Sequence, residues 1–353
     1  MKRPVIWIGS LSLLVLAAFI AAGADENAGK PNVPPSATPP PSGGLQPNVS
    51  ITPRTKIGPS TPDNITDRRA DIRIDTDMVL IYVSVTDPIG RYVTGLDKEN
   101  FKLTEEMDKK KIEQDITQFS SEDAPMSVGV VFDTSGSMGA KLRRSQQAVA
   151  QFLKTANPED EFFLVHFNDR PELLVPWTPD SEEIQSRLTW VESKGRTALL
   201  DGVYMAMNQM KKARNPRKAI LIISDGGDNE SRYTWRELKG RLREADVQVY
   251  SIGITQSFPG HRRSLDDMLG AALLDAIAKE TGGRLFEVDD LNQLPDTAAK
   301  IGTALRNQYM LGYVPASGQH DGKYHRVQVK IARPKGMPRL RASFRSGYQA
   351  PTN

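Results

Sequence analysis

The alternation of apolar and polar residues identifies strands at both ends of the folded part of the chain. In "MVLIYVSVTD", Val79, Ile81, Val83 and Val85 lie on one face and polar or larger side chains on the other, a period of two that predicts a strand. The stretches "ENFKLTEE" and "KIEQDITQFS" predict two further strands around a charged "MDKKK" turn. After residue 306 the short alternating stretches "YMLGYVP", "YHRVQVKIA" and "LRASFRSGY" predict strands again.

Between these flanks, apolar strand-like runs alternate with amphipathic helical ones. The predicted strands are "SVGVVF", "EFFLVHF", "ELLVPW", "KAILIIS", "VQVYSIGI" and "RLFEV", and helices are predicted at "KLRRSQQAVAQFLKTA" and near 181–190, 198–212, 234–244, 270–280 and 293–306. This alternation predicts an α/β fold, a doubly wound, mostly parallel sheet with helices on both faces. Because each flank is too small to be stable alone, we expect this unit to be inserted into a smaller β-sandwich built from both flanks.

The N-terminal region predicts export. Lys2 and Arg3 precede an apolar run, Val5 to Ala22, that ends in small residues before Asp25, as in a secretory signal peptide. The run also approaches the length of one membrane span, so retention as an N-terminal anchor is the alternative. Either way we expect a secreted, periplasmic or cell-envelope protein that contacts the membrane only through this segment.

The remaining domain bounds follow from composition. Ten prolines between Pro31 and Pro62 indicate a disordered spacer. We therefore predict a signal peptide or anchor at 1–24, a proline-rich linker at 25–70, sandwich strands at 71–122 and 308–350, and the α/β unit at 123–307.

Composition excludes several kinds of site. The chain has no cysteine, so disulfides, zinc thiolates and cysteine nucleophiles are absent. A net charge of +3, without a dense basic run with interleaved aromatics, argues against nucleic acid as a partner.

Oxygen-bearing side chains follow the predicted strands at one edge of the sheet. In open α/β sheets, sites form beyond the carboxyl ends of the strands, and three segments should meet there: "FDTSGSMG", "SKGRTALLDG" and "IISDGGDNES". They offer two carboxylates and three hydroxyls, from Asp133, Ser135, Ser137, Thr197 and Asp225. Hard oxygen donors suit Mg²⁺, or Mn²⁺, and argue against zinc or copper. Water or a carboxylate of another molecule would complete the coordination.

This set of residues resembles the metal-ion-dependent adhesion site of von Willebrand factor type A (VWA) domains. The order Asp133-x-Ser135-x-Ser137, Thr197, Asp225 matches that site without substitution, and "GRTALLDGV" is also similar. The flanks further resemble a subgroup of exported bacterial VWA proteins, best known in Acidobacteria. The resemblance covers about half of the chain. It implies divalent-metal-dependent binding of a protein that offers an Asp or Glu carboxylate, with adhesion or complex assembly as the outcome.

Several alternatives remain open from the sequence. Asp133 could be the nucleophile of a haloacid-dehalogenase-type Mg²⁺ phosphohydrolase, but Ser135 stands where that chemistry needs a second acid, so we expect no enzyme. The protein could also be a structural envelope module with a vestigial metal site. Ser135 and Ser137 could cap the following helix. We expect Asp201 and Asp228 to be solvated or to act indirectly, and His166 to lie in the core or at its rim. We assign no role to His261, His320 or His325.

Overall fold

The computed structural model describes residues 78–107, 110–121, 123–255, 264–315, 321–334 and 336–352. The predicted signal peptide or anchor and the linker, at 1–24 and 25–70, lie outside the described residues, as do His261 and His320. Within the described ranges, no helix combines the length and apolar character needed to cross a membrane.

The elements follow the chain in the order that the apolar pattern predicts. The first flank forms β1 (Val79–Thr86), β2 (Phe101–Met107), β3 (Lys110–Gln114) and β4 (Gln118–Ser120). The middle forms β5 (Met126–Asp133), α1 (Leu142–Leu153), β6 (Glu161–Phe167), β7 (Pro171–Thr178), α2 (Ser181–Thr189), α3 (Leu199–Met210), β8 (Arg217–Ser224), α4 (Trp235–Glu244), β9 (Gln248–Ile254), α5 (Leu265–Glu280), β10 (Leu285–Val288) and α6 (Leu294–Arg306). The second flank forms β11 (Gln308–Tyr313), β12 (Tyr324–Ile331), β13 (Arg341–Ser343) and β14 (Gly347–Gln349). Short 3₁₀ helices cover Lys98–Asn100, Gly136–Met138 and Leu291–Gln293.

The middle of the chain forms a six-stranded sheet in the order β10-β9-β8-β5-β6-β7. The pairs β10–β9, β9–β8, β8–β5 and β5–β6 are parallel, and β7 joins the edge antiparallel to β6. The predicted mostly parallel α/β fold is therefore confirmed. Strand β5 lies between β8 and β6, so the residues that follow it lie near the middle of the sheet edge.

Helices cover both faces of this sheet. Along β5, Val128, Val130 and Phe132 pack into one core with helices α1, α2 and α6, whereas Val131 packs into the other with α3, α4 and α5. Strand β8 divides its side chains in the same way. The lack of polar alternation in "AILII" is thus the consequence of two buried faces.

The starts of several helices are fixed by local capping. Thr234 and Glu237 form a capping box at α4, and Ser264 and Asp267 form one at α5. At α2 the side chain of Asp180 accepts a hydrogen bond from the backbone N–H of Glu182. Each cap satisfies N–H groups that have no partner within the helix, and so sets where the helix begins.

The two flanks form two four-stranded sheets around one shared core. One sheet has the order β13-β1-β11-β4 and the other β14-β12-β2-β3, so each contains strands from both ends of the chain. The core between them includes Ile81, Val83 and Val85 of β1 and Tyr309 and Leu311 of β11. Strands from the first and second flanks pair directly, as β1 does with β11 and β2 with β12.

The prediction of one strand at "KIEQDITQFS" is wrong. Its first half, β3, pairs with β2 in one sheet, and its last residues, β4, pair with β11 in the other. The chain crosses between the sheets at residues 115–117, where the buried side chain of Ile116 enters the shared core. The prediction of one strand at "LRASFRSGY" is wrong in the same way, because this stretch forms β13, which pairs with β1, and β14, which pairs with β12 in the other sheet. Period-two alternation cannot reveal such a crossing because it continues through the connection.

The polar face of β1 packs against the α/β unit. Tyr82 lies beside the guanidinium of Arg217, with the Arg217 Cζ 6.0 Å from the ring centroid. The amide of Gln308 donates to Ser84 Oγ at 3.2 Å and to Tyr250 Oη at 3.0 Å. The sandwich is thus tied to the α/β unit by buried polar contacts at the point where α6 leads into β11.

The interior of the sandwich also holds a hydrogen-bonded cluster of polar side chains around His325. This side chain is 1% exposed; its Nδ1 contacts Glu105 Oε1, and its Nε2 lies 3.1 Å from Asp321 Oδ1. Tyr348 Oη donates to the same oxygen of Glu105 at 2.9 Å. The imidazole therefore holds together β2, β12 and β14, a structural position that its polar sequence context did not indicate.

Candidate metal centre

Asp133 ends β5 with its side chain enclosed. It is fully buried, and its carboxylate is held at both oxygens: Oδ1 accepts from the backbone N–H of Ser135 at 2.9 Å and Oδ2 from the Ser224 hydroxyl at 2.5 Å. Ser224 ends the neighbouring strand β8 and also accepts from the N–H of Gly226 at 2.9 Å. The carboxylate is thus fixed by the ends of two adjacent strands, through groups that carry no positive charge.

The two serines of the first loop lie together. Ser135 Oγ and Ser137 Oγ are 3.1 Å apart, with Ser135 buried and Ser137 exposed. The 3₁₀ turn Gly136–Met138 sets this spacing, anchored by the fully buried side chain of Met138. Neither serine caps α1: Lys141 precedes that helix, and Ser135 makes no side-chain capping bond to the 3₁₀ turn. The predicted capping role is therefore wrong for α1, and the two hydroxyls face each other instead.

Backbone hydrogen bonds join the loop of Thr197 to the loops of both acids. Towards Asp133, Gly136 N donates to Gly195 O at 3.0 Å. Towards Asp225, Thr197 N donates to Asn229 Oδ1 at 3.0 Å, and Thr197 O accepts from Asn229 N at 2.9 Å. The three segments that the sequence predicts to meet thus form one hydrogen-bonded edge.

Asp225 and Thr197 face the same space beside Gly227. A Cβ placed on Gly227 would lie 3.7 Å from Asp225 Oδ1 and 3.8 Å from Thr197 Oγ1. Gly226 has φ of +85°, and a Cβ there would lie 2.4 Å from the carbonyl carbon of Gly270. Glycine at Gly226 therefore permits both the left-handed turn and the close approach of α5 to the Asp225 loop.

The two carboxylates repel each other across the site. Burial raises the pKa of Asp133 to about 6, and the negative charge of Asp225 contributes in the same direction. The hydrogen bonds from Ser135 and Ser224 oppose this shift but do not cancel it. A buried carboxylate with a raised pKa beside a second acid favours a bound cation, because a cation would stabilise both negative charges.

One side chain that the sequence analysis overlooked lies at this site. Lys141 Nζ is 2.9 Å from Asp225 Oδ2, and both side chains are 11% exposed. The only signal in the sequence was its distance of eight residues from Asp133, across the "SGSMGA" turn. The ammonium neutralises part of the negative charge in the site.

The neighbouring acids hold the loops rather than face solvent. Asp201 is 3% exposed and accepts from the backbone N–H groups of Arg232 and Tyr233, both at 2.9 Å. The solvated alternative is therefore wrong for Asp201, which ties α3 to the loop before α4. Asp228 is half-buried and accepts from the Ser231 hydroxyl at 2.6 Å.

His166 lies at the rim of the core, which is one of the two positions predicted for it. Its side chain is 15% exposed; Nδ1 lies 3.2 Å from Thr134 Oγ1 and Nε2 lies 3.5 Å from Glu172 Oε2. The described part of the chain contains no group of three His, Cys, Asp or Glu side chains placed to hold a metal ion. A metal here would depend on hydroxyl oxygens and water in addition to two carboxylates, a donor set that fits Mg²⁺ or Mn²⁺.

A family model of the von Willebrand factor type A domain matches residues 128–227, which run from β5 through the Asp225 loop. This chain contains a von Willebrand factor type A domain. The match covers the strands and loops that carry the five predicted site residues. The remaining elements of the α/β unit, from α4 to α6, lie outside the matched residues, and their strands β9 and β10 extend the same six-stranded sheet.

Relatives share this region at low identity. Inter-alpha-trypsin inhibitor heavy chain H4 of Bos taurus is 25% identical over 211 residues, which cover 54% of this chain and 22% of the bovine protein. A UPF0353 protein of Mycolicibacterium paratuberculosis is 26% identical over 224 residues, 58% of this chain and 66% of that protein. A solved von Willebrand factor type A structure from Catenulispora acidiphila aligns with a TM-score of 0.45 and 12% identity, over 78% of this chain and 73% of that one. This chain thus matches only part of each of these proteins. VWA domains in general mediate interactions between proteins.

Proposed function

We propose that this VWA domain binds a protein partner through a divalent metal ion. Asp133, Ser135, Ser137, Thr197 and Asp225 would hold Mg²⁺ or Mn²⁺, some of them through water, and a carboxylate of the partner would complete the coordination. The observation that supports this most is the meeting of three loops at one sheet edge, with two acids and three hydroxyls between them.

The metal would supply an attraction for a carboxylate at a site that would otherwise repel it. With Asp133 and Asp225 ionised and the single ammonium of Lys141 beside Asp225, these three side chains sum to a negative charge, and an approaching Asp or Glu meets repulsion. A dication reverses that sign. Partner binding should therefore depend on metal and be abolished by chelators.

The sequence favours an exported protein, and we extend the proposal accordingly. The basic and apolar N-terminal segment followed by a proline-rich stretch would place the VWA domain in the envelope, the periplasm or the medium, at a distance from its point of attachment if the segment is retained. Adhesion or complex assembly is the role that fits such a position. The expectation that the protein is not an enzyme remains a prediction.

Direct metal titration tests the proposal. We expect Mn²⁺ to bind the wild-type protein with one-to-one stoichiometry by isothermal titration calorimetry, and Mg²⁺ to compete with it. Asp133→Ala should remove this binding, whereas Asp228→Asn, which removes a negative charge from a nearby loop but none of the proposed ligands, should retain it. Capture of a partner from envelope extract should then be lost with EDTA and with Asp133→Ala. Wild-type protein that binds no Mn²⁺ at millimolar concentration would contradict the proposal and favour a vestigial site.

A further inference from the structure

The ammonium group of Lys141 is held in place by the fold. The Lys141 backbone N–H donates to Met138 O at 2.8 Å, and its carbonyl accepts from Ser145 N at 3.0 Å and from Ser145 Oγ at 3.1 Å. These bonds fix Lys141 at the junction between the 3₁₀ turn and α1. Its side chain then reaches Asp225 Oδ2 at 2.9 Å with 11% of its surface exposed.

The position of Lys141 has a direct consequence for the charge of the site. Asp133 and Asp225 together carry two negative charges when ionised, and Lys141 returns one positive charge. A dication near Asp225 would have to displace the ammonium or bind beside it. In both cases Lys141 opposes the metal, because two cations compete for the same carboxylate in a partly desolvated site.

We infer that Lys141 is an internal cation that competes with the divalent metal for Asp225 and sets the affinity of the site. The inference rests on the proposed function. In the metal-free protein, Lys141 compensates Asp225 and stabilises the loop. When metal binds, the lysine weakens the interaction, so the site fills only at higher concentrations of the metal than its two acids and three hydroxyls would otherwise require.

The alternative role for Lys141 predicts the opposite effect. Because the lysine contacts Oδ2, it could position Asp225 so that Oδ1 faces Thr197, and its loss would then weaken metal binding. A positioning residue and a competing cation therefore differ in the sign of the change. That difference makes the inference testable without knowledge of the partner.

The experiment compares three lysine variants. Lys141→Met removes the charge and keeps most of the side-chain length, Lys141→Arg keeps the charge, and Lys194→Met removes a charge from an exposed lysine on the same edge. Affinity for Mn²⁺ is measured by calorimetry and by the electron paramagnetic resonance signal of free Mn²⁺. Thermal unfolding in EDTA provides a readout that does not involve metal.

We expect Lys141→Met to bind Mn²⁺ about tenfold more tightly or better, because removal of one like charge from a partly buried site strengthens cation binding by at least this factor. In EDTA the same variant should unfold at a lower temperature than wild type, since Asp225 loses its partner beside Asp133. Lys141→Arg should resemble wild type, and Lys194→Met should change the affinity by less than about threefold because surface charges are well screened.

Unchanged or weaker Mn²⁺ binding by Lys141→Met would overturn the inference. If wild type binds Mn²⁺ and Asp133→Ala does not, the proposed function survives that result. If Lys141→Met binds Mn²⁺ and the wild type does not, the lysine is a competing cation, but the proposed metal-dependent function of the wild-type protein is rejected. Failure of wild type, Lys141→Met and Lys141→Arg alike to bind Mn²⁺ would reject both.

Discussion

Replacing Asp133 by Asn should stabilise the metal-free protein at neutral pH. The carboxylate is fully buried, and its pKa is raised from 3.8 to about 6. Above about pH 6 the native state holds a buried negative charge, which water solvates better in the unfolded chain, so ionisation destabilises the native state. A pKa shift of about two units corresponds to a loss of about 3 kcal/mol of folding stability when the group is ionised. This value is an upper limit, because relaxation of the protein and entry of water reduce it. We therefore expect Asp133→Asn to raise the free energy of unfolding by about 1–3 kcal/mol at pH 7.5.

The pH dependence gives the prediction a second, independent signature. Between pH 3.8 and about 6 the native state binds the proton of Asp133 more tightly than the unfolded state does, so the contribution of this group to stability falls as pH rises. The variant lacks this titration. The difference in unfolding free energy between Asp133→Asn and wild type should be near zero at pH 4 and reach its full value above pH 6 to 7.

Urea denaturation in EDTA at several pH values measures this difference. Asp201→Asn is the matched control, because Asp201 is equally buried but accepts two backbone N–H bonds and contacts the guanidinium of Arg232 at 3.2 Å. Loss of that charge should destabilise the protein by about 1–3 kcal/mol. With Mg²⁺ in excess, the wild type should gain stability and Asp133→Asn should not. A lower stability of Asp133→Asn at pH 7.5 in EDTA, or a difference from wild type that does not vary with pH, would refute the argument.

Two further changes probe the scaffold around the site by urea denaturation. Gly226→Ala should lower the free energy of unfolding by about 2 kcal/mol or more, because the new Cβ would sit at a positive φ and 2.4 Å from the carbonyl carbon of Gly270. Its control, Gly240→Ala, lies at an exposed helical position with nothing within 4 Å and should raise the free energy of unfolding by about 0.5–1 kcal/mol. Equal effects of the two substitutions would contradict the packing argument. Arg306→Met should lower the free energy of unfolding by about 3 kcal/mol or more, because it leaves the buried carboxylate of Asp160 without its charged partner. A decrease below about 1 kcal/mol would show that this ion pair is solvated.

Much of the fold could be predicted because its strands and helices have distinct apolar periods. The position of Asp133 at the end of a buried strand follows from the run "SVGVVF", and the carboxyl ends of parallel strands share one edge. The crossing at Ile116 could not be predicted in this way. Its alternation is the same within one sheet as across two, and the decision is made by pairing with β11, some 190 residues later in the chain.

The site was only partly predictable for a similar reason. The order of Asp133, Thr197 and Asp225 along the chain indicates which side chains meet, since each follows a strand or precedes a helix. Lys141 has no such signal. Its contact with Asp225 depends on where the 3₁₀ turn ends and α1 begins, which is set by the burial of Met138 and by backbone hydrogen bonds. Whether Asp201 is solvated likewise depends on the backbone N–H groups of Arg232 and Tyr233, which lie 31 and 32 residues later in the chain.

The arrangement of charges connects stability to binding in this VWA domain. A fold selected for stability alone would not bury Asp133 without a positive partner, and the strands around it offer only neutral donors. Asp225, by contrast, has the Lys141 ammonium. In the proposed function, an external cation would thus compensate Asp133, while Asp225 is already held by an internal one. The opposite effects expected of Asp133→Asn and Lys141→Met on the stability of the metal-free protein follow from this asymmetry, and they can be measured before any partner is known.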